Sequence, residues 1–172
     1  FCAGAGGKSL AIGSLMRNTG VVYSFDISKN KIHKLKIRAA RSGLKNIYPV
    51  LLSGLNDKRL NGFYLKASKV LVDAPCTCSG TFRHNPHLKW KISKSFLEEL
   101  AKQQGEILEK ASHLCSQGGT LMYATCSLFK DENERVIEKF LKSNTSFFVQ
   151  PLDDSYVNNL LKELKESVFI DK

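Results

Sequence analysis

Apolar and polar positions follow two different periods along the chain, and the change of period predicts a series of strands and helices. Short apolar runs predict buried strands, while apolar residues that recur every third or fourth position predict amphipathic helices. The predicted strands cover 20–27, 46–52, 69–72 and 120–125, with a weaker strand at 146–149. The predicted helices cover 9–16, 28–41, 95–115 and 131–142, with a short charged helix at 157–165.

The order of these elements predicts the fold class. Strands alternate with helices almost throughout, which is typical of an open, mostly parallel α/β sheet with right-handed crossovers and helices on both faces. Residues 53–67 and 74–93 are polar and predict connecting loops, and Gly118-Gly119 predicts a turn. No repeat or linker interrupts the sequence, so a single domain over residues 1–172 is expected.

A glycine-rich loop, CAGAGGKS, occupies residues 2–9 and precedes the first predicted helix. Its glycines allow a tight turn and a close approach of backbone to a ligand, and the helix that follows directs its amino end toward that ligand. Asp26 ends the next predicted strand, twenty residues after Gly6, where an acid hydrogen-bonds ribose hydroxyls in nucleoside-binding α/β folds. A phosphate-binding P-loop is excluded because Cys2 stands where that motif requires glycine. A purely structural glycine turn is the alternative interpretation.

Two cysteines fall at predicted strand ends. Cys76 lies in VDAPCTCSGTFRHNP, after the strand that ends before Asp73, and Cys126 lies in LMYATCSLFKDENE, at the end of the neighbouring strand. Their polar, turn-forming neighbours indicate a reaction centre, although buried cysteines are also common as small apolar residues. Position alone does not distinguish Cys78 from Cys76.

Cysteine usage and charge set further limits. Five scattered cysteines argue against a disulfide framework and favour a reduced, cytoplasmic compartment. The C-x-C spacing at residues 76–78 has no second pair, so no metal site is predicted. The net charge of +10, from 26 Lys+Arg and 16 Asp+Glu, favours a polyanionic partner, although a merely soluble basic surface is the alternative. No apolar run is long enough to span a bilayer, and the residues from Phe1 onward are not expected to form a signal peptide.

Four motifs, in this order, resemble the catalytic domain of the Fmu/Sun (RsmB-like) RNA 5-methylcytosine methyltransferases. They are CAGAGGKS, FDIS, DAPCTCSGTFRHNPHLKW and YATCSLFKDENE, and the resemblance covers about residues 2–142. It implies a Rossmann-like α/β fold whose first strand is largely missing from this chain. It also implies that the chain uses S-adenosylmethionine to form 5-methylcytosine in RNA, with ribosomal RNA as the expected partner.

The resemblance also implies roles for individual residues. Cys126 is expected to add to carbon 6 of cytosine, Cys76 to assist release of the enzyme, and Asp73 to hold the cytosine edge. The Asn133-Glu134 pair is expected to brace the loop of Cys126. Expected cofactor-binding residues are Cys2, Ala3, Gly4, Ala5, Gly6, Gly7, Lys8, Asp26 and Asp73, and expected RNA-binding residues are Lys8, Arg83 and Lys89.

Departures from the family pattern leave two alternatives open. The family's acid for the adenine amino group is replaced by Ser53-Gly54, and Asp57 lies further along. The chain is expected to be a monomeric fragment without an amino-terminal RNA-binding module and without the last strands. The alternatives are a catalytically impaired RNA-binding remnant and a DNA cytosine-5 methyltransferase with Cys76 as nucleophile.

Overall fold

The computed structural model describes residues 1–151, and within them four strands alternate with four α-helices as the sequence pattern predicts. In chain order these are α1 (Gly7–Leu15), β1 (Val22–Asp26), α2 (Lys29–Ser42), β2 (Ile47–Leu51), β3 (Ala67–Asp73), α3 (Lys94–Ser112), β4 (Cys115–Ala124) and α4 (Glu134–Ser143). Four short 3₁₀ helices cover Lys58–Phe63, Ser79–Thr81, Pro86–Lys91 and Lys130–Glu132.

The four strands form two parallel pairs, β1 with β2 and β3 with β4. The segment 1–3 connects the two pairs by hydrogen bonds. The Ala3 amide donates to Phe25 O of β1 at 2.9 Å, while the Phe1 nitrogen donates to Leu71 O of β3 at 2.6 Å. The carboxyl ends of β1 and β3 therefore lie on either side of the glycine loop.

Helix α2 covers the β1–β2 pair, and its ends follow from the sequence. Ser28 caps the amino end by accepting a hydrogen bond from the Lys31 amide, and Gly43 ends the helix in the left-handed conformation (φ 69°). Its buried face shares one apolar cluster with Ile47 of β2. The members of this cluster from α2 are Ile32, Leu35 and Ala39.

Helix α3 packs against β3 and β4. Ser93 caps it by accepting from the Phe96 amide at 3.1 Å. Ile107, Leu108 and Ala111 are buried along one face, spaced as an amphipathic helix requires. This packing fixes β3 and β4, whose carboxyl ends carry the two cysteine motifs.

The predictions for the region around Gly118-Gly119 were wrong in detail. Helix α3 ends at Ser112, short of the predicted Cys115, and Cys115 instead begins β4. The predicted turn lies inside β4 as an irregularity, because residues 116–119 lie opposite the single residue Ser68. Gly118 takes φ 72°, which glycine adopts without strain.

Two weaker predictions remain. Residues 146–149 do not form a strand, so that prediction was wrong. The predicted helix at 157–165 lies outside the described residues. The chain separates into a unit over Phe1–Phe140, which carries every site residue discussed below, and a second unit over Leu141–Lys172. Within residues 1–151, no helix is both long and apolar enough to cross a membrane.

Candidate active site

The glycine loop makes a tight turn at the amino end of α1. Gly4 and Gly6 both take left-handed backbone angles (φ 59° and 86°). Gly6 is also required for packing, since a Cβ at this position would lie 2.0 Å from Leu35 Cδ1. A Cβ at Gly4 or Gly7 would meet nothing within 4 Å, so space beside the backbone is open there. The loop therefore offers exposed backbone groups and a helix amino end to a ligand.

Asp26 holds the glycine loop against the end of β1. Its Oδ2 accepts a hydrogen bond from the Gly4 amide and its Oδ1 accepts from the Ser28 amide, each at 2.8 Å. The residue is only 6% exposed. Each carboxylate oxygen can accept a second hydrogen bond. Asp26 thus combines a structural role in the loop with acceptor capacity at the strand end, where the sequence predicts a ribose contact.

The region after β2 has an acid in a different place from the family pattern. The Asp57 carboxylate reaches back to Ser53, accepting from its amide at 2.9 Å and its hydroxyl at 3.1 Å. Arg59 also donates to Asp57, from its backbone amide at 3.0 Å and from its guanidinium. These hydrogen bonds, with that of the Arg59 side chain the largest influence, hold the pKa of Asp57 well below its usual range. Asp57 is therefore a charged but heavily engaged acceptor next to Ser53.

Asp73, at the end of β3, pairs with Lys8 of the glycine loop. Lys8 Nζ donates to Asp73 Oδ2 at 2.8 Å. Both side chains keep access to solvent, with 58% of the Lys8 side chain and 35% of the Asp73 side chain exposed. The ion pair places a cation and a carboxylate between the glycine loop and the cysteine motifs. The sequence predicted Lys8 and Asp73 as site residues, but it did not predict the ion pair between them.

The side chains of the two predicted catalytic cysteines are in contact. Cys76 Sγ and Cys126 Sγ lie 3.1 Å apart, at the ends of β3 and β4, and all five cysteines are free thiols. Burial raises the pKa of both thiols. Their mutual contact acts in opposite directions on the two, lowering the pKa of Cys126 and raising that of Cys76, because a Cys76 S–H can donate to a Cys126 thiolate. Cys126 is the more exposed of the pair.

The loops that carry these thiols are in direct backbone contact. The Gly80 amide donates to Cys126 O at 2.9 Å, and a Cβ at Gly80 would lie 2.7 Å from the same oxygen. Ser79 Oγ accepts from the Leu128 amide at 2.7 Å. Glycine is thus needed at position 80 for the two loops to approach.

Glu132 accepts hydrogen bonds from both loops, a role that the sequence did not predict. The residue is fully buried. Its Oε1 accepts from the Thr77 amide and from Gln104 Nε2, each at 2.9 Å. Its Oε2 accepts from the hydroxyls of Thr77 and Ser127. Glu132 is one of the acids in the DENE run, but the family resemblance assigns the bracing role to the next two residues, Asn133 and Glu134.

Asn133 braces the Cys126 loop as predicted. Its side-chain amide donates to Ser127 O at 2.9 Å and to Phe129 O at 3.0 Å, and its oxygen accepts from the Thr125 hydroxyl at 2.6 Å. Glu134 is exposed at the start of α4. The bracing acid in this structure is therefore Glu132.

The basic loop after Cys76 is open to solvent. Arg83, His84 and Lys89 are exposed, and Trp90 is 85% exposed, so it does not pack inward. Lys89 Nζ lies 5.7 Å from the centre of the Trp90 ring. A cation and an aromatic face are thus presented together. Contact with phosphate and stacking on a base are the chemistry that this arrangement offers.

Comparison with known proteins identifies the family of this chain. The family model for 16S rRNA methyltransferase RsmB/F matches residues 1–165. The probable ribosomal RNA small subunit methyltransferase B of Bacillus subtilis is 36% identical over 149 residues, covering 85% of this chain and 32% of that protein. The tRNA (cytosine(72)-C(5))-methyltransferase of Pyrococcus horikoshii is 35% identical over 134 residues, covering 78% of this chain and 33% of that protein.

Solved structures show the same fold. The crystal structure of PH0851 superposes with a TM-score of 0.84 and 39% identity, covering 89% of this chain and 34% of that one. NSun6 from Pyrococcus horikoshii, solved with SFG, gives a TM-score of 0.72 and 31% identity, covering 81% of this chain and 35% of that one. The chain spans about a third of the length of the curated relatives that it matches.

The fold is thus that of the Rossmann-like methyltransferases, as the sequence predicted. In this chain, that fold comprises two parallel strand pairs and a glycine loop held by Asp26 at the end of β1. Within that class, the chain belongs to the 16S rRNA methyltransferase RsmB/F family.

Proposed function

We propose that this chain is the catalytic domain of an S-adenosylmethionine-dependent methyltransferase that forms 5-methylcytosine in RNA, with ribosomal RNA as the substrate. The observation that carries the proposal is the pair of free thiols, Cys76 and Cys126, 3.1 Å apart beside the glycine loop. The names of the relatives support an RNA substrate, since they refer to small-subunit ribosomal RNA and to cytosine 72 of tRNA. A monomer in the cytoplasm belongs to the same proposal.

Cys126 is the nucleophile in this proposal. Carbon 5 of cytosine is a poor nucleophile, and addition of a thiolate to carbon 6 turns the ring into an enamine-like species that reacts at carbon 5. Cys126 is the more exposed thiol, and contact with Cys76 favours its ionised form. These two properties support Cys126 over Cys76 for the attack, in contrast to the alternative of a DNA methyltransferase.

Cys76 has the complementary role. Once carbon 5 carries its methyl group, its remaining proton must leave so that the ring double bond can reform and expel the Cys126 thiolate. Burial and the contact with Cys126 raise the pKa of the Cys76 thiol above its usual range. Once the Cys76 thiol has released its own proton to solvent, its thiolate accepts the carbon 5 proton. Elimination then leaves Cys76 as a thiol and Cys126 as a thiolate, which takes up a proton from solvent to restore the resting pair.

Asp73 and Lys8 position the base and the reactants. We assign to Asp73 the cytosine edge at ring nitrogen 3, where sharing a proton makes carbon 6 more electrophilic. The Lys8 contact at 2.8 Å holds the carboxylate in place, and the exposed third of Asp73 is available to a ligand. Lys8, Arg83 and Lys89 supply positive charge for the RNA backbone.

The residues present fit S-adenosylmethionine. Open space beside Gly4 and Gly7 admits a ligand to the loop backbone, and Asp26 has acceptor capacity for ribose hydroxyls. Residues Cys2 to Lys8 would line the cofactor, and the Ser53–Asp57 pair supplies acceptors where the family has its acid. SFG, bound to the Pyrococcus horikoshii relative, is an analogue of S-adenosylmethionine. When bound, the cofactor would supply an electrophilic methyl group.

Substitution of each cysteine tests the proposal. Cys126→Ala should abolish methyl transfer from tritiated S-adenosylmethionine to unmodified 16S rRNA transcripts. Cys76→Ala should instead accumulate a covalent protein–RNA adduct that survives denaturing electrophoresis, because elimination fails. Cys115→Ala is the matched control, since this thiol lies in β4 outside the site. Methylation by the Cys126→Ala protein would overturn the assignment.

Two further arms separate the alternatives. DNA of the same sequence, tested with the same protein, distinguishes an RNA from a DNA methyltransferase, and a tRNA transcript tests the second substrate class found among the relatives. Calorimetric titration with S-adenosylmethionine addresses the impaired remnant, which need not bind the cofactor. Absence of cofactor binding by a folded protein would favour that remnant.

A further inference from the structure

A third thiol lies beside the reactive pair. The Sγ atoms of Cys76, Cys78 and Cys126 all lie within 4.8 Å of one another. Two of these residues are partly buried and Cys126 is exposed. Among residues 1–151, no other three His, Cys, Asp or Glu side chains bring their ligand atoms together in this way. The proposed reaction uses two of the thiols and leaves Cys78 without a role.

The spacing suits a soft cation. Zinc binds cysteine sulfur at about 2.3 Å in tetrahedral geometry, which places ligand sulfurs about 3.8 Å apart. The Cys76 and Cys126 sulfurs are 3.1 Å apart and all three sulfurs lie within 4.8 Å of one another, so each separation is within about 1 Å of that value. Three protein ligands and one open position are typical of zinc sites that exchange their fourth ligand.

The backbone holds the third thiol in place without a metal. Cys78 takes a left-handed conformation (φ 57°) that is uncommon for a residue with a side chain. Its Sγ donates to Cys76 O at 3.6 Å. The hydrogen bond from the Gly80 amide to Cys126 O then fixes the second loop against the first. The three sulfurs therefore approach through the fold itself, so little ordering is left for a cation to bring about.

We propose that Cys76, Cys78 and Cys126 bind one zinc-class cation through three thiolates, with the fourth position open on the exposed side of Cys126. Each thiol releases its proton to the buffer when the cation binds. A cation held this way occupies the sulfur that the reaction needs, so metal and cytosine exclude each other. That consequence rests on the proposed function, whereas the binding itself does not.

Sequence spacing could not predict this site. Two cysteines in a C-x-C arrangement without a second pair argue against a zinc finger, and the third ligand comes from another strand end. Only the parallel pairing of β3 and β4 brings Cys126 to the other two. The expectation of no metal, drawn from spacing, is the one that this proposal replaces.

Cadmium titration tests the proposal without RNA or methyl donor, so its outcome is independent of enzymatic activity. The purified protein, kept reduced with a phosphine so that the close Cys76–Cys126 pair cannot oxidise, is titrated while the sulfur-to-cadmium charge-transfer band is recorded. One cadmium per chain is expected, with a band of three-thiolate intensity, and zinc in large excess should reduce the band by competition. Absence of a stoichiometric band would overturn the proposal.

Cys78→Ser is the decisive variant, because serine is nearly the same size and keeps a donor for Cys76 O. Loss of an outer-shell partner alone typically weakens metal binding 10–100-fold, so loss of a direct ligand should cost roughly 100-fold or more. The band should also lose about a third of its intensity. Cys115→Ser is the matched control, with circular dichroism as the test of folding. Unchanged affinity in Cys78→Ser, or loss of binding in Cys115→Ser, would contradict the three-thiolate site.

Discussion

Glu132 shows how much of the site depends on one buried side chain. Its carboxylate accepts hydrogen bonds from the Thr77 amide and hydroxyl on one loop and from the Ser127 hydroxyl on the other. Gln104 of α3 donates both to this carboxylate and to Pro75 O, at 2.8 Å in the second case. The geometry of the thiol pair therefore depends on a group that touches neither sulfur.

Glu132→Gln should destabilise the protein by about 1–3 kcal/mol, because an amide cannot accept on both sides and at least one buried donor loses its acceptor. Glu134→Gln, at the exposed start of α4, is the matched control and should change stability by no more than about 0.5 kcal/mol. Urea denaturation of both variants measures the difference. Equal losses, or a larger loss at position 134, would restore Glu134 as the bracing residue that the family pattern suggested.

The ionisation of Cys126 predicts a pH dependence of the reaction. Burial raises the pKa of this thiol above its usual range, and contact with Cys76 opposes the rise only in part. The attacking form is the thiolate, so below that pKa the single-turnover methylation rate should increase about tenfold per pH unit, between about pH 6 and pH 8. Calorimetry of cofactor binding over the same range serves as the control. A rate already constant from pH 6 would show that the thiol ionises more easily than its surroundings indicate.

At the scale of elements, the glycine loop depends on one position more than on the others. Gly6 needs both a left-handed backbone and the absence of a Cβ, since Leu35 of α2 fills the space beside it. Gly4 needs only the backbone conformation, and Gly7 needs neither. The packing of α2 therefore shapes the proposed cofactor loop.

Gly6→Ala should lower the free energy of unfolding by about 1–3 kcal/mol, through backbone strain and the displacement of Leu35. It should also weaken S-adenosylmethionine binding, because the loop must shift. Gly105→Ala is the control, since Gly105 lies within α3 with nothing within 4 Å of its added Cβ, and alanine there favours the helix by up to about 1 kcal/mol. Thermal unfolding and calorimetry measure the two effects. Unchanged stability of the Gly6→Ala protein would mean that the Leu35 side chain can move aside at little energetic cost.

The elements that sequence predicted well are those with a strong local signal. Capping serines at 28 and 93 and the stop at Gly43 are local chemistry, so α2 and α3 begin close to the predicted positions and α2 also ends close to its predicted end. Gly118-Gly119 has the same local signal as a turn, but β3 pairs on both sides of it, so tertiary pairing turns it into an irregularity within β4.

The site shows the same division between local and long-range information. The motifs supplied its residue types, including both cysteines and Asp73. The contacts between strand ends, such as Lys8 with Asp73, depend on pairings between residues far apart in sequence. The periodicity of apolar residues does not reveal such pairings, so the geometry of the site could be seen only in the structure.

At the scale of the whole molecule, charge is the property that bears most on the proposed RNA partner. The net charge is +10, and the loop after Cys76 presents Arg83, Lys89 and the exposed Trp90 to solvent. Among the described residues, neither Arg83 nor Lys89 forms an ion pair with an acidic side chain. These charges are therefore free to neutralise phosphates.

RNA affinity should fall steeply with salt, because each neutralised phosphate releases counterions. For a single-stranded RNA, the plot of log affinity against log salt has a slope of about −0.7 per phosphate contacted. Removing one contact with Arg83→Ala or Lys89→Ala should make that slope shallower by about 0.7 and weaken binding to all sequences alike. Lys36→Ala, an exposed lysine of α2, is the control and should leave the slope unchanged. Fluorescence anisotropy with labelled RNA across a salt series measures all four proteins. An unchanged slope in both loop variants would show that RNA phosphates do not contact this loop. The positive charge that binds RNA would then lie on other faces of the molecule.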